Sequence, residues 1–366
     1  MIDPHVHLRD WNQNHKETLK HGLYVAFKAG LDAVFEMPNT DPALTNKNKI
    51  IERIKLADKI IDQLGLKIFH GLYAGITVDP KQIEEIVEVY HKLFPRVVGL
   101  KMFAGHSTGN MGIVNEKDQK LIYKTLLDLG YRGVLAVHCE KESYIDQKLW
   151  NPVNPYSHTM TRPPKAEVES VKDQIRFADE FSYKGTLHIL HISVPKALEE
   201  IERARNHVSY KISCGLTLHH ALLNNEMMQG QNGYLLKMNP PLRSKDMQEY
   251  MFNSLLKGRI DWIETDHAPH TLKEKKEKYM SGIPALPYYP YFVRILRNNG
   301  ASNDLIDKIT HNNIIRTFGM QPDIIPNSRR ADMQDKKVSF SLAKEYEFDA
   351  FRQIVYNNKE NFLKSH

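Results

Sequence analysis

Residues 67–103, KIFHGLYAGITVDPKQIEEIVEVYHKLFPRVVGLKMF, hold two strand-like runs with a helical pattern between them. Lys67–Tyr73 and Val97–Phe103 are short, apolar and rich in β-formers. Ile83, Ile86, Val87 and Tyr90 recur at spacings of three and four, the stripe of an amphipathic helix over Pro80–Leu93. Strand, helix and strand in this order make the unit of a parallel sheet.

The unit repeats outward in both directions. Further strand patterns fall at Met1–His7, Asp32–Met37, Gly133–His138, Thr186–His191, Val208–Ser213 and Ile260–Thr265, which makes eight in all. Helical patterns lie at Ile50–Leu64, Glu116–Leu129, Ala166–Phe181 and Pro195–Arg205. Eight strands with intervening helices predict an α/β fold, a (β/α)8 TIM-type barrel of the usual ~250 residues or somewhat more. An open doubly wound sheet is the rival, but no Gly-rich phosphate fingerprint follows any strand. The barrel is assigned to residues 1–320, with 321–366 as a short C-terminal extension packed on it. The Pro-rich stretch Asn151–Lys165 reads as a surface loop, and the charged run Thr271–Met280 as a solvated helix or loop.

The chain has 366 residues and a net charge of +6, with 41% hydrophobic and 26% charged residues, an ordinary globular composition. No stretch approaches the ~20 apolar residues of a membrane span, and MIDPHVHLRD lacks the apolar core of a signal peptide. Two cysteines cannot form a disulfide framework and point to a reducing, cytoplasmic setting; Cys139 and Cys214 read as small buried hydrophobes. The positive charge is modest and forms no single-sign stripe, which argues against nucleic acid as a partner.

The histidines carry the chemistry. Barrel active sites lie at the C-terminal ends of the strands. His5 and His7 alternate onto one face at the end of strand one, His138 ends strand five, and His188 and His191 lie on strand six. Asp266 ends strand eight. Imidazoles and a carboxylate at four strand ends suit Zn²⁺ with an open position for water. His188 and His191 are three apart, so on a regular strand they point oppositely; His191 is taken as the inward one and His188 as packed outward against helices. Strand four ends with Lys101. Among metal ligands its neutral amine is favoured, and an amine can take up CO2 as a bridging carbamate. Binding a substrate anion or reaching to solvent remain open for it.

His5-Val6-His7, Lys101, His138, His191 and Asp266, in this order, resemble the amidohydrolase superfamily. HVHLRD, MPNT at 37–40, KMNPPLRS at 237–244 and DHAPH at 266–270 resemble its dihydroorotase family over residues 1–320. The resemblance implies two zinc ions per chain, bridged by carboxylated Lys101 and a hydroxide. His5, His7 and Asp266 would hold one ion, His138 and His191 the other. It implies reversible cyclisation of N-carbamoyl-L-aspartate to L-dihydroorotate in pyrimidine synthesis, with the hydroxide as nucleophile and Asp266 as general base and acid. Arg9, two residues past His7 and on the same side if the strand continues, would grip the substrate carboxylate. Asn39, Asn239 and His270 would complete that pocket. Ser107 and Thr108, in the Gly-containing loop after strand four, suit either a lid or a static turn. His219, His220 and His267 lie close to the site without an assigned role.

A related cyclic amidase (a hydantoinase, dihydropyrimidinase or allantoinase) and a non-catalytic dihydroorotase-like subunit are the alternatives. A second copy of the chain or an aspartate transcarbamoylase is compatible as partner. Many superfamily members carry a β-sandwich built from both flanks of the barrel. Here the barrel pattern begins at residue 1 and the tail is short, so none is expected.

Overall fold

The structure is a computed structural model and describes residues 1–107, 110–230, 232–328, 330–333 and 336–352. Eight strands form one parallel sheet in chain order: β1 Ile2–Val6, β2 Ala33–Glu36, β3 Phe69–Gly75, β4 Val97–Ala104, β5 Val134–Cys139, β6 Thr186–Ile189, β7 Lys211–Thr217 and β8 Trp262–Glu264. The main outer helices are α1 Leu19–Lys28, α2 Lys47–Leu64, α3 Pro80–Leu93, α4 Glu116–Asp128, α5 Ser157–Thr161, α6 Pro164–Glu180, α7 Pro195–Arg205, α8 Leu218–Leu222 and α9 Lys245–Leu256. After β8 come α10 Leu272–Glu277, α11 Tyr289–Asn298, α12 Asn303–Asp307, α13 Asn313–Phe318 and α14 Lys336–Ala343.

Local signals set these limits. Asn46 caps α2 with its side chain and Gly65 ends it in the left-handed region (φ 61°). Asp79 caps α3 ahead of Pro80 at its first turn. The seam between β8 and β1 closes through a Val6–His267 bridge, with the His7 N–H donating to the His267 carbonyl at 2.8 Å. The Asp3 carboxylate reinforces the seam by accepting from Thr265 N at 3.1 Å and from its hydroxyl. The result is the (β/α)8 barrel.

Two apolar clusters follow from strand alternation. One lies between sheet and helices. The other fills the barrel, from Ile2, Phe35, Tyr73 and Trp262, and α13 plugs it from below with Ile314, Ile315 and Phe318. The Pro-rich stretch is more ordered than a bare loop and includes α5. The charged run is not wholly solvated: Lys275 in α10 is fully buried and donates to the carbonyls of Lys237, Met280 and Gly282. No helix among the described residues is long and apolar enough to cross a membrane. We propose that residues 321–366 are an extension of the barrel. Arg330 donates to the Leu31 carbonyl at 2.6 Å and Tyr346 to Glu17 at 2.7 Å, both back onto it.

A buried charge network ties β2, α2 and β3 together. Arg53 holds both oxygens of Glu36, with Nε at 2.9 Å, and His70 Nε2 lies 2.9 Å from the same carboxylate. Burial pushes the Glu36 pKa up, but the Arg53 charge and the hydrogen bonds outweigh it and hold it at about 2. Glu36→Gln leaves the Arg53 charge buried without its partner, so urea unfolding at pH 7 should show a loss of about 3–5 kcal/mol. A depressed carboxyl stabilises above its unfolded pKa and loses that contribution as pH falls. The gap between wild type and variant should therefore shrink from about pH 5 down toward 2.

Candidate metal centre and active site

The strand ends bring candidate ligand residues together at the barrel mouth. His5 Nε2 and His7 Nε2 lie 3.2 and 2.9 Å from the same oxygen, Asp266 Oδ1. These three residues form a group whose donor atoms can share one metal ion. Burial lowers the His7 pKa to about 4, so its ring is neutral. Its Nδ1 donates to Asn39 Oδ1 at 2.7 Å, which leaves an Nε2 lone pair facing the carboxylate. Two lone pairs face each other there, an arrangement that suits a shared cation. The Asp266 carboxyl is held well below its usual range, because His5 and His7 outweigh its burial.

A second pair stands beside the first. His138 Nδ1 and His191 Nε2 are 3.1 Å apart, and the His191 ring centroid is 5.3 Å from that of His5. Burial lowers the pKa of both rings, which makes them neutral donors. Glu140 Oε2 lies 3.1 Å from His138 Nε2 on the far side and is itself held by Arg162, so the Nδ1 lone pair is turned inward. Lys101 lines the same cavity. It is 1% exposed, and its Nζ has no hydrogen-bond partner. Burial lowers its pKa to about 7, so the neutral amine is accessible at physiological pH. The donors and the orphaned amine fit a metal centre.

Backbone turns decide the rest of the lining. β6 ends at Ile189, and His191 follows with φ 36°, which swings it inward. His188 does not pack outward as alternation about His191 implied. It pairs in register with Ala136 and Ser213, stacks 4.3 Å from Trp262 and bonds Ser213 Oγ at 3.1 Å inside the barrel. Arg9 also reaches the cavity for a different reason from the one expected. β1 stops at Val6, and Arg9 has φ 54°, so a left-handed turn aims it rather than strand continuation. Arg53 Nη2 donates to the Arg9 carbonyl at 2.9 Å, and Arg9 Nε donates to the Pro269 carbonyl at 3.2 Å. Burial lowers the Arg9 pKa only to about 10, so the guanidinium stays charged.

Asn39, Asn239 and Ser107 line the cavity, while Thr108 lies outside the described residues. Asn239 Oδ1 is 3.1 Å from His158 Nε2. His270 is not among the lining residues. It sits behind Arg9, 3.4 Å from Nη2, with Nδ1 3.1 Å from Glu274. Burial lowers its pKa to about 3, so it offers no charge to an anion. His220 spans Thr217 and the Pro240 carbonyl, His267 meets Glu17 at 3.1 Å, and His219 is buried with no partner on either nitrogen. Sequence reading missed Glu264, a fully buried carboxylate 3.6 Å from His5 Nδ1 and 3.5 Å from His188 Nε2. The signal was the alternation of Trp262, Glu264 and Asp266. It also missed Ser281 and Gly282, which close the cavity wall after the charged run.

Fold and site define a (β/α)8 barrel with an amidohydrolase-like mouth. No family model matches the sequence. Curated relatives do. The dihydroorotase of Thermococcus kodakarensis is 30% identical over 325 residues, covering 88% of this chain and 68% of the relative. That of Archaeoglobus fulgidus is 30% identical over 328 residues, covering 87% and 72%. The chain therefore belongs to the dihydroorotase family. It spans 63% of the length of another relative, the dihydroorotase of Methanothermobacter thermautotrophicus, at 28% identity. Among solved structures, an L-hydantoinase (dihydropyrimidinase) from Arthrobacter aurescens superposes with a TM-score of 0.75 at 23% identity, covering 87% of this chain and 70% of that one. A dihydroorotase from Campylobacter jejuni gives 0.65 at 18%, covering 87% and 83%. These likenesses show the barrel.

Asn39→Ala should free the His7 ring to rotate and lower metal affinity about 10–100-fold, measured by competition with a chelator. Unchanged affinity would mean that Asn39 does not orient His7.

Proposed function

We propose that the chain interconverts N-carbamoyl-L-aspartate and L-dihydroorotate; His5, His7 and Asp266 would hold one zinc ion, His138 and His191 a second, and a carboxylated Lys101 would serve as a further ligand. The observation that carries this reading is the cavity itself, where the two histidine groups, the unpartnered Lys101 amine and the Arg9 guanidinium share one wall. When bound, the metal ions polarise the reacting carbonyl and make water nucleophilic near neutral pH. The buried Lys101 amine attacks CO2, forming a C–N bond and releasing a proton, and presents two anionic oxygens in place of a cation. In the hydrolytic direction the Asp266 carboxylate accepts the proton of the attacking water and delivers it to the departing ring nitrogen. In the synthetic direction it protonates the leaving hydroxyl as the ring closes. Arg9 grips the substrate carboxylate, and Asn239 offers its side-chain amide to the ring. His270 acts through Arg9, whose Nη2 it faces. The two free cysteines, both buried, suit a reducing compartment.

A cyclic amidase acting on hydantoins shares the barrel, and Arg9 is what favours a substrate with a free carboxylate. Arg9→Met should lower kcat/KM for dihydroorotate at least ~10-fold, since a charged hydrogen bond is worth about 1.5–3 kcal/mol. It should barely change turnover of hydantoin, if any is measurable. Equal losses on both, or none on dihydroorotate, would overturn this substrate assignment.

Asp266→Asn keeps the shape but cannot accept a proton, so kcat should fall by about 10² or more. Metal content is measured on the same sample; a variant that retains metal and near-normal kcat would assign the proton transfer to another group.

A further inference from the structure

At the opposite end of the barrel, the strand entries and α13 bound a second cleft of about 420 Å³, within the range of small-molecule sites. Arg132, Lys184, Lys211 and Arg316 line it, and no acid is among its described lining residues. The cations recur in a pattern. Tyr131-Arg132-Gly133, Tyr183-Lys184-Gly185 and Tyr210-Lys211-Ile212 place a tyrosine and a cation at the entry of β5, β6 and β7. Each tyrosine is an anchor. Tyr131 donates to the Val134 carbonyl at 2.8 Å, Tyr183 to Gly133 at 2.9 Å and Tyr210 to Ile175 at 2.7 Å.

Val134 pairs with Thr186 and Thr186 with Lys211, so Arg132 and Lys184 enter adjacent strands at one level, about 4.8 Å apart along the sheet, while Lys211 on the next strand stands two residues further along. Like charges gathered at one rim repel one another. Nearby arginines are neutralised: Arg96 meets Asp58 at 2.7 Å, and Arg259 meets Glu202 at 2.6 Å. The side chains of Arg132, Lys184 and Lys211 have no hydrogen-bond or ion-pair partner among the described residues, and Arg316 meets only the neutral Asn313 Oδ1. All four are exposed at the rim of the cleft, where an anion can reach them.

We propose that this cleft binds a small anion bearing two or more phosphoryl groups. Guanidinium forks and ammonium groups match phosphate oxygens. The rings of Tyr90, Phe94 and Tyr210 among the lining residues offer apolar contact to an organic group carried by the phosphates. A concave cleft, rather than an extended stripe, favours a small ligand over nucleic acid.

The test is calorimetric titration of the full chain with tripolyphosphate and, separately, with a nucleoside triphosphate, at constant ionic strength. One saturable site per chain is expected. Lys184→Glu with Lys211→Glu should weaken it at least ~10-fold, while Lys184→Arg should leave it nearly intact. Arg132→Gln serves as an independent variant, and thermal melts check that each folds. Tighter binding of the nucleotide identifies an organic phosphate; equal affinity identifies the phosphoryl groups alone. Turnover of dihydroorotate by the variants stays at the wild-type level, because these residues lie at the other end from Asp266. Absence of saturable binding, equal affinity in the double variant, or tighter binding of an oligonucleotide or poly-aspartate would overturn the proposal. None of these results bears on the reading of the other barrel end.

Discussion

One carboxylate oxygen joins the first strand of the barrel to the turn after the last. Asp266 Oδ1 faces Nε2 of both His5 and His7, and 259 residues separate His7 from Asp266. That meeting is possible only when β8 lies beside β1. The bonds that seat it are the seam bonds of the barrel, Asp3 to Thr265 and His7 N to the His267 carbonyl. Barrel closure and site assembly are therefore one constraint. A lesion in the seam should be felt first as misplaced ligands, before it is felt as lost helix packing.

Burial sets the charge of each member. Imidazoles taken out of water lose their proton unless an acid faces them. His7, His138 and His191 are driven neutral, whereas His5, between Asp266 and Glu264, is raised to about 9 despite its burial. Beneath the ligands lie the buried carboxyls Asp3 and Glu264, the first raised to about 7 by burial and the second held far below its usual range by His188 and His5. The site thus sets three neutral imidazoles and a raised His5 over a layer of acids, with Arg9 as a permanent cation at one side. Lys101 has none of these acids within hydrogen-bond reach, so its amine is left without a hydrogen-bond partner in the cavity wall.

Alternation along regular strands made much of this legible. His5 and His7 share a face, Lys101 and His138 stand at inward positions of β4 and β5, and the eight strand runs were recognisable within a few residues. The reading failed where the strand rule stops. His191, Arg9 and Asp266 all follow a strand end and all have positive φ. Period-two reasoning therefore misdirected His188, and it gave Arg9 the right direction for the wrong reason. Glu264 and Glu140 were hidden because each adjoins a ligand motif and reads as ordinary strand-end polarity. Lys275 was hidden in a charged run, where only the three-dimensional convergence of carbonyls distinguishes a buried ammonium from a solvated one.

The positive-φ residues also explain how short strands can carry precise ligands. β6 and β8 have four and three residues, and the candidate ligands His191 and Asp266 lie two positions beyond the ladder. A left-handed non-glycine residue costs about 1–3 kcal/mol and persists only where surrounding contacts hold it. Here side chains replace the missing ladder bonds. The His191 N–H donates to Glu264, and His267 N donates to Thr265 Oγ1 at 3.0 Å, directly after Asp266. Ala268 N then donates to the Ile283 carbonyl at 2.9 Å, which joins the ligand turn to the segment holding Ser281 and Gly282. Glu264 thus serves two elements at once, fixing the turn that carries one histidine and facing the ring of another. Its burial at the base of the site follows from that double duty. Its carboxylate reaches from β8 to the His5 ring on β1 and to the turn after β6, and it adds to the larger effect of Asp266 in raising the His5 pKa.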